Sequence, residues 1–391
     1  MPTMTAAAEP QRTETNAEEL TAWRDTIRRF LADEVEPHYD AWEKAGMIPK
    51  ALYLKLGAAG FLCVDAPEEY GGAGAPLEFS CAIAEESARL GYMSLTSNLM
   101  MHSDIVAPYI LHLGSEEQKR KYLPQMISGE CFGALAMTGP GTGSDLQAIK
   151  TNAQPDGDGY RLNGSKTFIT NGQHAGVVIV AAKDAKAGGK GMTLFLVDTE
   201  LPGFKRGRNL DKIGMHAADT SELFFDNVPL AADAALGRAG NGFGHLMDEL
   251  PRERLMLAVA AVAHAEGALE RTIEYVTTRK AFGQPVSSFQ NTRFELAKIK
   301  MDIEVNRAFY EKCCRLYAIG QLDVPTAAII KLATSEMECR VVDACLQLFG
   351  GYGYMTEYPI SRYWTDARIQ RIYGGTNEIM KEVIARSLVG R

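Results

Sequence analysis

Trp23, Ile27, Phe30 and Leu31 recur at helical spacing in TAWRDTIRRFLADEV, with polar residues between them. The same period returns in PLEFSCAIAEESARL through Leu77, Ile83 and Ala84. SEEQKRKYLPQMISG (115–129) opens on a serine cap and two acids and stops at Gly129. From residue 131 the period shortens. CFGALAMT, YRLNGSKTFITNG, GVVIVAAKD, MTLFLVDT and SELFFDNV are β-branched or aromatic runs separated by Gly, Asn, Asp and Pro. From 243 the helical pattern resumes in FGHLMDELPRERLMLAVAAVAHAEGALERTIEYVTTRK, with a kink or restart expected at Pro251. Further helices are expected over 288–319, 325–348 and 377–389. Long helices with short joints predict an antiparallel bundle. The order α, β, α lacks the βαβ alternation of a doubly wound parallel sheet. The expectation is an α+β chain: an N-terminal helical domain over 1–130, a middle β domain of barrel or sandwich type over 131–236, and a C-terminal helical bundle over 237–391.

The net charge of −8 and the lack of a basic stripe argue against a nucleic-acid partner. The seven cysteines include no CxxC pair and no Cys/His cluster at zinc spacing, and the histidines show no metal spacing. No metal is therefore expected, and the odd thiol count suits a reducing, cytoplasmic compartment. MPTMTAAAEPQRTETNAEEL has no apolar h-region and several acids, which argues against a secretory signal or an Arg-rich transit peptide. LMLAVAAVAHAEGAL (255–269) is too short to span a bilayer and reads as a buried helix.

Several stretches carry candidate chemistry, each beside a plainer explanation. AMTGPGTGSD (136–145) follows a strand, and its glycines would let backbone N–H groups approach an anion, with Ser144 adding a donor. A dinucleotide fingerprint fails here, because Gly141 and Gly143 lead to Leu146 and a strand-like segment. A Gly-Pro turn has the same spacing. In SKTFITNG (165–172), Phe168 and Thr170 could stack on a flat ring and bond its edge, or simply alternate in a strand. Arg279 in RKAFGQPVSSFQ suits a phosphate or a helix C-terminus. QLFGGYGYMTEYP (347–359) reads equally as a helix stop and turn.

ELPRERLMLA puts Glu249 and Glu253 four apart, on one helix face. If Pro251 restarts the helix, Glu253 falls in its first turn, where an acid complements the dipole. A carboxylate at the edge of LMLAVAAVA would also have its charged form disfavoured, which makes a useful base. RIYGGTNEI (371–379) runs two glycines into a Thr-Asn pair of the kind that opens a helix.

Together, AMTGPGTGSD, NGSKTFITNG, RKAFGQPVSSFQ, QLFGGYGYMTEYP and IYGGTNEIM resemble the acyl-CoA dehydrogenase family over nearly the whole chain. ELPRERL and IYGGTNEIMKE look like its long-chain branch. The resemblance implies a helical domain, a β domain and a C-terminal four-helix bundle. It also implies FAD held between domains and neighbouring subunits of a homotetramer, a dimer of dimers. Thr138 and Ser144 match the loop at the flavin and its phosphates, and Phe168 and Thr170 match the pair beside the flavin ring. Arg279, Phe282, Gln290, Gln347, Gly350 and Gly351 match the surface that grips the neighbouring subunit's FAD. Thr376 and Glu378 match the helix start near the same cofactor.

The chemistry implied by the resemblance is α,β-dehydrogenation of an acyl-CoA, with the β hydrogen leaving as hydride to flavin N5 and electrons passing to an electron-transfer flavoprotein. Most of the family carries its base directly after IY, where this chain has Gly374. In the long-chain and isovaleryl branches the base comes from the helix, and Glu253 is the matching position. Arg254 matches an arginine that orders the site. Ser144, Arg254, Gly374 and Gly375 match the substrate side, with the Gly374 N–H on the thioester carbonyl. One departure is Gly139, where relatives carry Glu, and it bears on cofactor retention. Two other readings remain: dehydrogenation of an acyl group on a carrier protein, and a non-catalytic flavoprotein subunit.

Overall fold

The computed structural model describes residues 16–188 and 191–390. Most of the stretch read above as free of a targeting signal, residues 1–15, lies outside them.

The N-terminal segment folds into α1 (Ala17–Phe30), α2 (Tyr39–Ala45), α3 (Lys50–Ala58), α4 (Leu77–Arg89), α5 (Met93–Leu99), α6 (Ala107–Leu113) and α7 (Glu116–Ile127). Helix α1 starts where the Asn16 side chain accepts the Glu18 N–H at 3.0 Å. Helix α7 starts on a capping box between Ser115 and Gln118. Between α5 and α6 the chain widens into a π-helical stretch, Met100–Val106, which buries His102 and Asp104.

The middle segment is one eight-stranded sheet: β1 (Phe132–Ala136), β2 (Asn152–Asp156), β3 (Gly159–Thr170), β4 (Ala175–Asp184), β5 (Met192–Asp198), β6 (Phe204–Asn209), β7 (Thr220–Leu230) and β8 (Ala235–Leu236). Strand β4 pairs antiparallel with β5 and parallel with both β1 and β2. Strands β1 and β2 take opposite ends of β4: β1 meets residues 175–180 and β2 meets Lys183 and Asp184. Nearly every residue of β1, β4 and β5 is buried, which explains why their sequences read as apolar runs without alternation.

The C-terminal segment comprises α8 (Gly242–Thr278), α9 (Gln290–Ala318), α10 (Val324–Phe349), α11 (Pro359–Ala367) and α12 (Asn377–Val389). Helix α8 is the axis, packed against α9, α10 and α4. One expectation is corrected here: α8 runs unbroken through Pro251. Every residue from Arg252 to Leu269 is buried, and that burial outweighs the single ladder bond a proline removes. Glu253 is therefore about three turns inside the helix and not in its first turn. Among the described residues no helix is long and apolar enough to cross a membrane.

Candidate active site

Glu249 and Glu253 lie one turn apart on α8, both nearly buried. Helix α6 covers them. Its Tyr109 hydroxyl donates to Oε1 of Glu253 at 2.9 Å, and Nδ1 of its His112 lies 2.7 Å from Oε1 of Glu249. Burial pushes the Glu253 carboxyl up to about 7. The Tyr109 hydrogen bond opposes that rise, the Glu249 charge adds to it, and Arg254 opposes it weakly. The dipole explanation of Glu253 fails, because a mid-helix residue is beyond the reach of the helix end. An acid that loses its proton near neutrality, inside an apolar helix, is suited to abstract a proton.

The loop after α11 brings the Gly-Gly corner against the same stretch of α8. Gly374 and Gly375 have φ of +62° and +92°, conformations that favour glycine. A Cβ on Gly374 would fall 2.4 Å from Cδ1 of Leu257, one turn beyond Glu253. A Cβ on Gly375 would lie 3.8 Å from Nη2 of Arg254. Among the described residues, no hydrogen bond uses the Gly374 N–H, so this donor is free. The corner is fixed from below by Lys331 of α10. Its Nζ donates to the Gly375 carbonyl at 2.7 Å and to Oδ1 of Asn377 at 2.9 Å. Thr376 caps α12 by accepting the Ile379 N–H, and Glu378 is an exposed acid in the first turn. The Arg254 guanidinium is buried beside this corner, and its Nε and Nη1 have no hydrogen-bond partner among the described residues.

Two further groups of expected residues gather elsewhere. The Thr167 N–H bonds the Thr138 carbonyl at 3.0 Å, joining the loop after β1 to the end of β3. There Phe168 stands out of the sheet with φ +59° and 68% exposure, and Thr170 is half-buried. Ser144 is exposed on the same loop. The loop closes at Gly139, which exchanges both backbone hydrogen bonds with Thr142. The other group lines a cavity of about 460 Å³ where α8 and α10 end: Arg279, Gln347, Gly350 and Gly351, with the Arg279 guanidinium 5.0 Å over the Tyr352 ring. Phe282 and Gln290 do not line it. Phe282 tips the 280–285 hairpin at 95% exposure, and Gln290 begins α9.

Three family models cover the chain. The acyl-CoA dehydrogenase N-terminal domain matches residues 17–130, the middle domain 134–228 and the C-terminal domain 240–389. The chain belongs to the acyl-CoA dehydrogenase family. It is 48% identical over 371 residues to the long-chain specific acyl-CoA dehydrogenase, mitochondrial, of Sus scrofa, spanning 94% of this chain and 86% of that protein. This supports the long-chain branch. An acyl-CoA dehydrogenase structure from Geobacillus kaustophilus matches with a TM-score of 0.93 at 45% identity, over 96% of this chain and 99% of that one. A glutaryl-CoA dehydrogenase from Mycobacterium smegmatis, in complex with FADH2, matches with a TM-score of 0.90 at 28% identity, over 96% of each chain. Acyl-CoA dehydrogenases are oxidoreductases acting on CH–CH groups, and this chain is an enzyme of that class.

Tyr109, His112 and Lys331 lie outside the stretches that carry candidate chemistry, and Leu257 lies at the apolar edge of one. Leu257 continues the four-residue spacing of Glu249 and Glu253, a usable signal. Tyr109 and His112 reach acids 144 and 137 residues away, which no local pattern reports.

Proposed function

We propose that this enzyme dehydrogenates an acyl-CoA thioester to the trans-2-enoyl-CoA, with Glu253 taking the α proton. The observation that carries this reading is a buried carboxyl on α8, pushed up to about 7, on the helix stretch that also meets the Gly374 corner. The free N–H of Gly374 is suited to bond the thioester carbonyl, where negative charge grows as the α proton leaves. The buried Arg254 cation favours the same charge.

The residues present fit FAD. Gly350 and Gly351 have no atom within 4 Å of where a Cβ would stand, so a phosphate-bearing group can approach their bare backbone, with Arg279 and Gln347 alongside. Phe168 offers an unobstructed ring and Thr170 a hydroxyl for a flat heterocycle. Thr138, Ser144, Thr376 and Glu378 would complete the contacts, with Phe282 and Gln290 reaching the cofactor of a neighbouring subunit. When bound, the flavin supplies the acceptor for the β hydrogen. Gly139 is compatible with this role, since the backbone bonds to Thr142 close the loop without a side chain.

An electron-transfer flavoprotein is the electron acceptor that suits this class. A homotetramer accommodates the exposed Phe282, Phe294, Met301 and Val305, three of them on α9. Seven free cysteines suit a cytoplasmic location. The test is anaerobic flavin bleaching with a series of acyl-CoAs, comparing the parent with Glu253→Gln. The parent should bleach with at least one chain class. The variant should retain FAD and lose bleaching by about a thousandfold or more. Parent-like bleaching by the variant would remove Glu253 from the role.

A further inference from the structure

The base is held by a second helix. On α6, Tyr109 and His112 are three residues apart; on α8, Glu249 and Glu253 are four apart. Both spacings put the pairs on single helix faces, so the two helices meet through two parallel polar contacts, at 2.9 Å and 2.7 Å. Tyr109 is fully buried, and the two acids are 8% and 4% exposed. These contacts are therefore made in surroundings where charges act strongly on one another.

The groups facing each acid can be named. Glu253 is met by Tyr109 from α6 and by Glu249 and Arg254 from its own helix. Glu249 is met by His112 from α6. Together with Asp248, Arg252 and Tyr317 of α9, those two line a cavity of about 260 Å³. Arg252 is already engaged by Asp65 and Asp104, through contacts of 2.5 Å and 3.1 Å. His112 is 45% exposed at its side chain, so the Glu249 end of the pair reaches solvent while the Glu253 end does not.

We infer that Tyr109 and Glu249 are positioning residues that act on the charge of Glu253 in opposite directions, with His112 fixing the Glu249 carboxylate. A hydroxyl that donates to a carboxylate favours its charged form, and a second carboxylate one turn away disfavours it. This rests on Glu253 being the base. Tyr109 and Glu249 themselves need not touch substrate.

The test uses the purified holoenzyme and the acid limb of kcat/KM against pH, which reports the free enzyme's base. Tyr109→Phe removes the donor, so the limb should move to higher pH. Glu249→Gln removes the like charge, so it should move to lower pH. Each displacement should be about half a unit or more. A role in folding alone would give no such opposed pair of displacements. Two displacements of the same sign, or none in either variant, would overturn the inference. If one variant does not fold with FAD bound, the sign of the other decides. Glu253→Gln separates the two levels: if it stays active, the base reading itself fails, whereas if it is inactive and the limb never moves, only this inference fails.

Discussion

The Leu257 side chain fills the space that a side chain on Gly374 would need: a Cβ added to Gly374 would fall 2.4 Å from Cδ1 of Leu257. Leu257 is buried, four residues after Glu253 on the same helix face. The bare corner and Glu253 are therefore parts of one packing arrangement. A side chain at 374 displaces the leucine one turn after Glu253.

The first prediction concerns moving the base. Gly374→Glu in a Glu253→Gly background puts a carboxyl at the position that the family resemblance marks as the more usual place for the base. Here the new side chain meets Leu257 and takes up φ +62°. The left-handed backbone costs an L-residue about 1–2 kcal/mol, and overpacking adds a similar amount. The double variant should bleach flavin no faster than Glu253→Gly alone. Adding Leu257→Ala should recover part of the rate. Recovery without trimming Leu257 would mean the corner is looser than the packing indicates.

The division into segments is legible because helix and sheet periods differ along the chain. The bases for chemistry are less legible. From its neighbours alone Glu253 could pass for a first-turn acid, since Pro251 two residues earlier suggests a helix start. Tertiary burial from Arg252 to Leu269 overrides that local signal. The resemblance to a family pointed to Glu253, and the contacts that set its environment come from α6, far away in sequence. The Gly-Gly pair stands out as a corner before a helix start, and its left-handed backbone, which few other residues adopt, emerges only in the structure. The lysine that anchors the corner gave no sign, since a buried cation on an apolar helix looks like any surface lysine in sequence.

That lysine yields the second prediction. Lys331 is 1% exposed, and burial pushes its ammonium down to about 8. It still donates to the Gly375 carbonyl and to Asn377, whose amide in turn donates to Oε1 of Glu336 at 2.9 Å. Lys331→Met keeps most of the volume and removes the donors. Charge-assisted bonds of this kind are worth about 2 kcal/mol, so the melting temperature should fall. The turnover rate should fall as well, by about tenfold or more, because the Gly374 N–H sits on the loosened loop. A lowered melting temperature with unchanged turnover would show that the corner keeps its shape without the lysine.

The last prediction concerns a pair buried in the bundle. Nδ1 of His264 on α8 lies 2.7 Å from Oε1 of Glu338 on α10, and both side chains are fully buried. Burial, helped by the Arg362 charge, pushes the His264 imidazole from 6.5 down to about 3. Burial, helped by Asp366, pushes the Glu338 carboxyl well above 4.5. The folded pair is then neutral and holds one proton, on Glu338. The unfolded chain also holds one between about 4.5 and 6.5, on the histidine, so the pair's stability contribution is flat there. Above about 6.5 the unfolded chain has released its proton and the folded pair has not. Stability then falls by about 1.4 kcal/mol per pH unit until Glu338 ionises in the folded state. Glu338→Gln keeps a donor for Nδ1 and removes the titrating carboxyl. Its denaturation midpoint should approach the parent's below about pH 4.5 and exceed it above about pH 5, its stability gaining on the parent's by about 1.4 kcal/mol per pH unit through about pH 8.5. An ion pair would behave in the opposite way: the amide would leave a buried imidazolium uncompensated and cost about 3 kcal/mol at neutral pH. Denaturation curves of the two proteins across that pH range distinguish the outcomes.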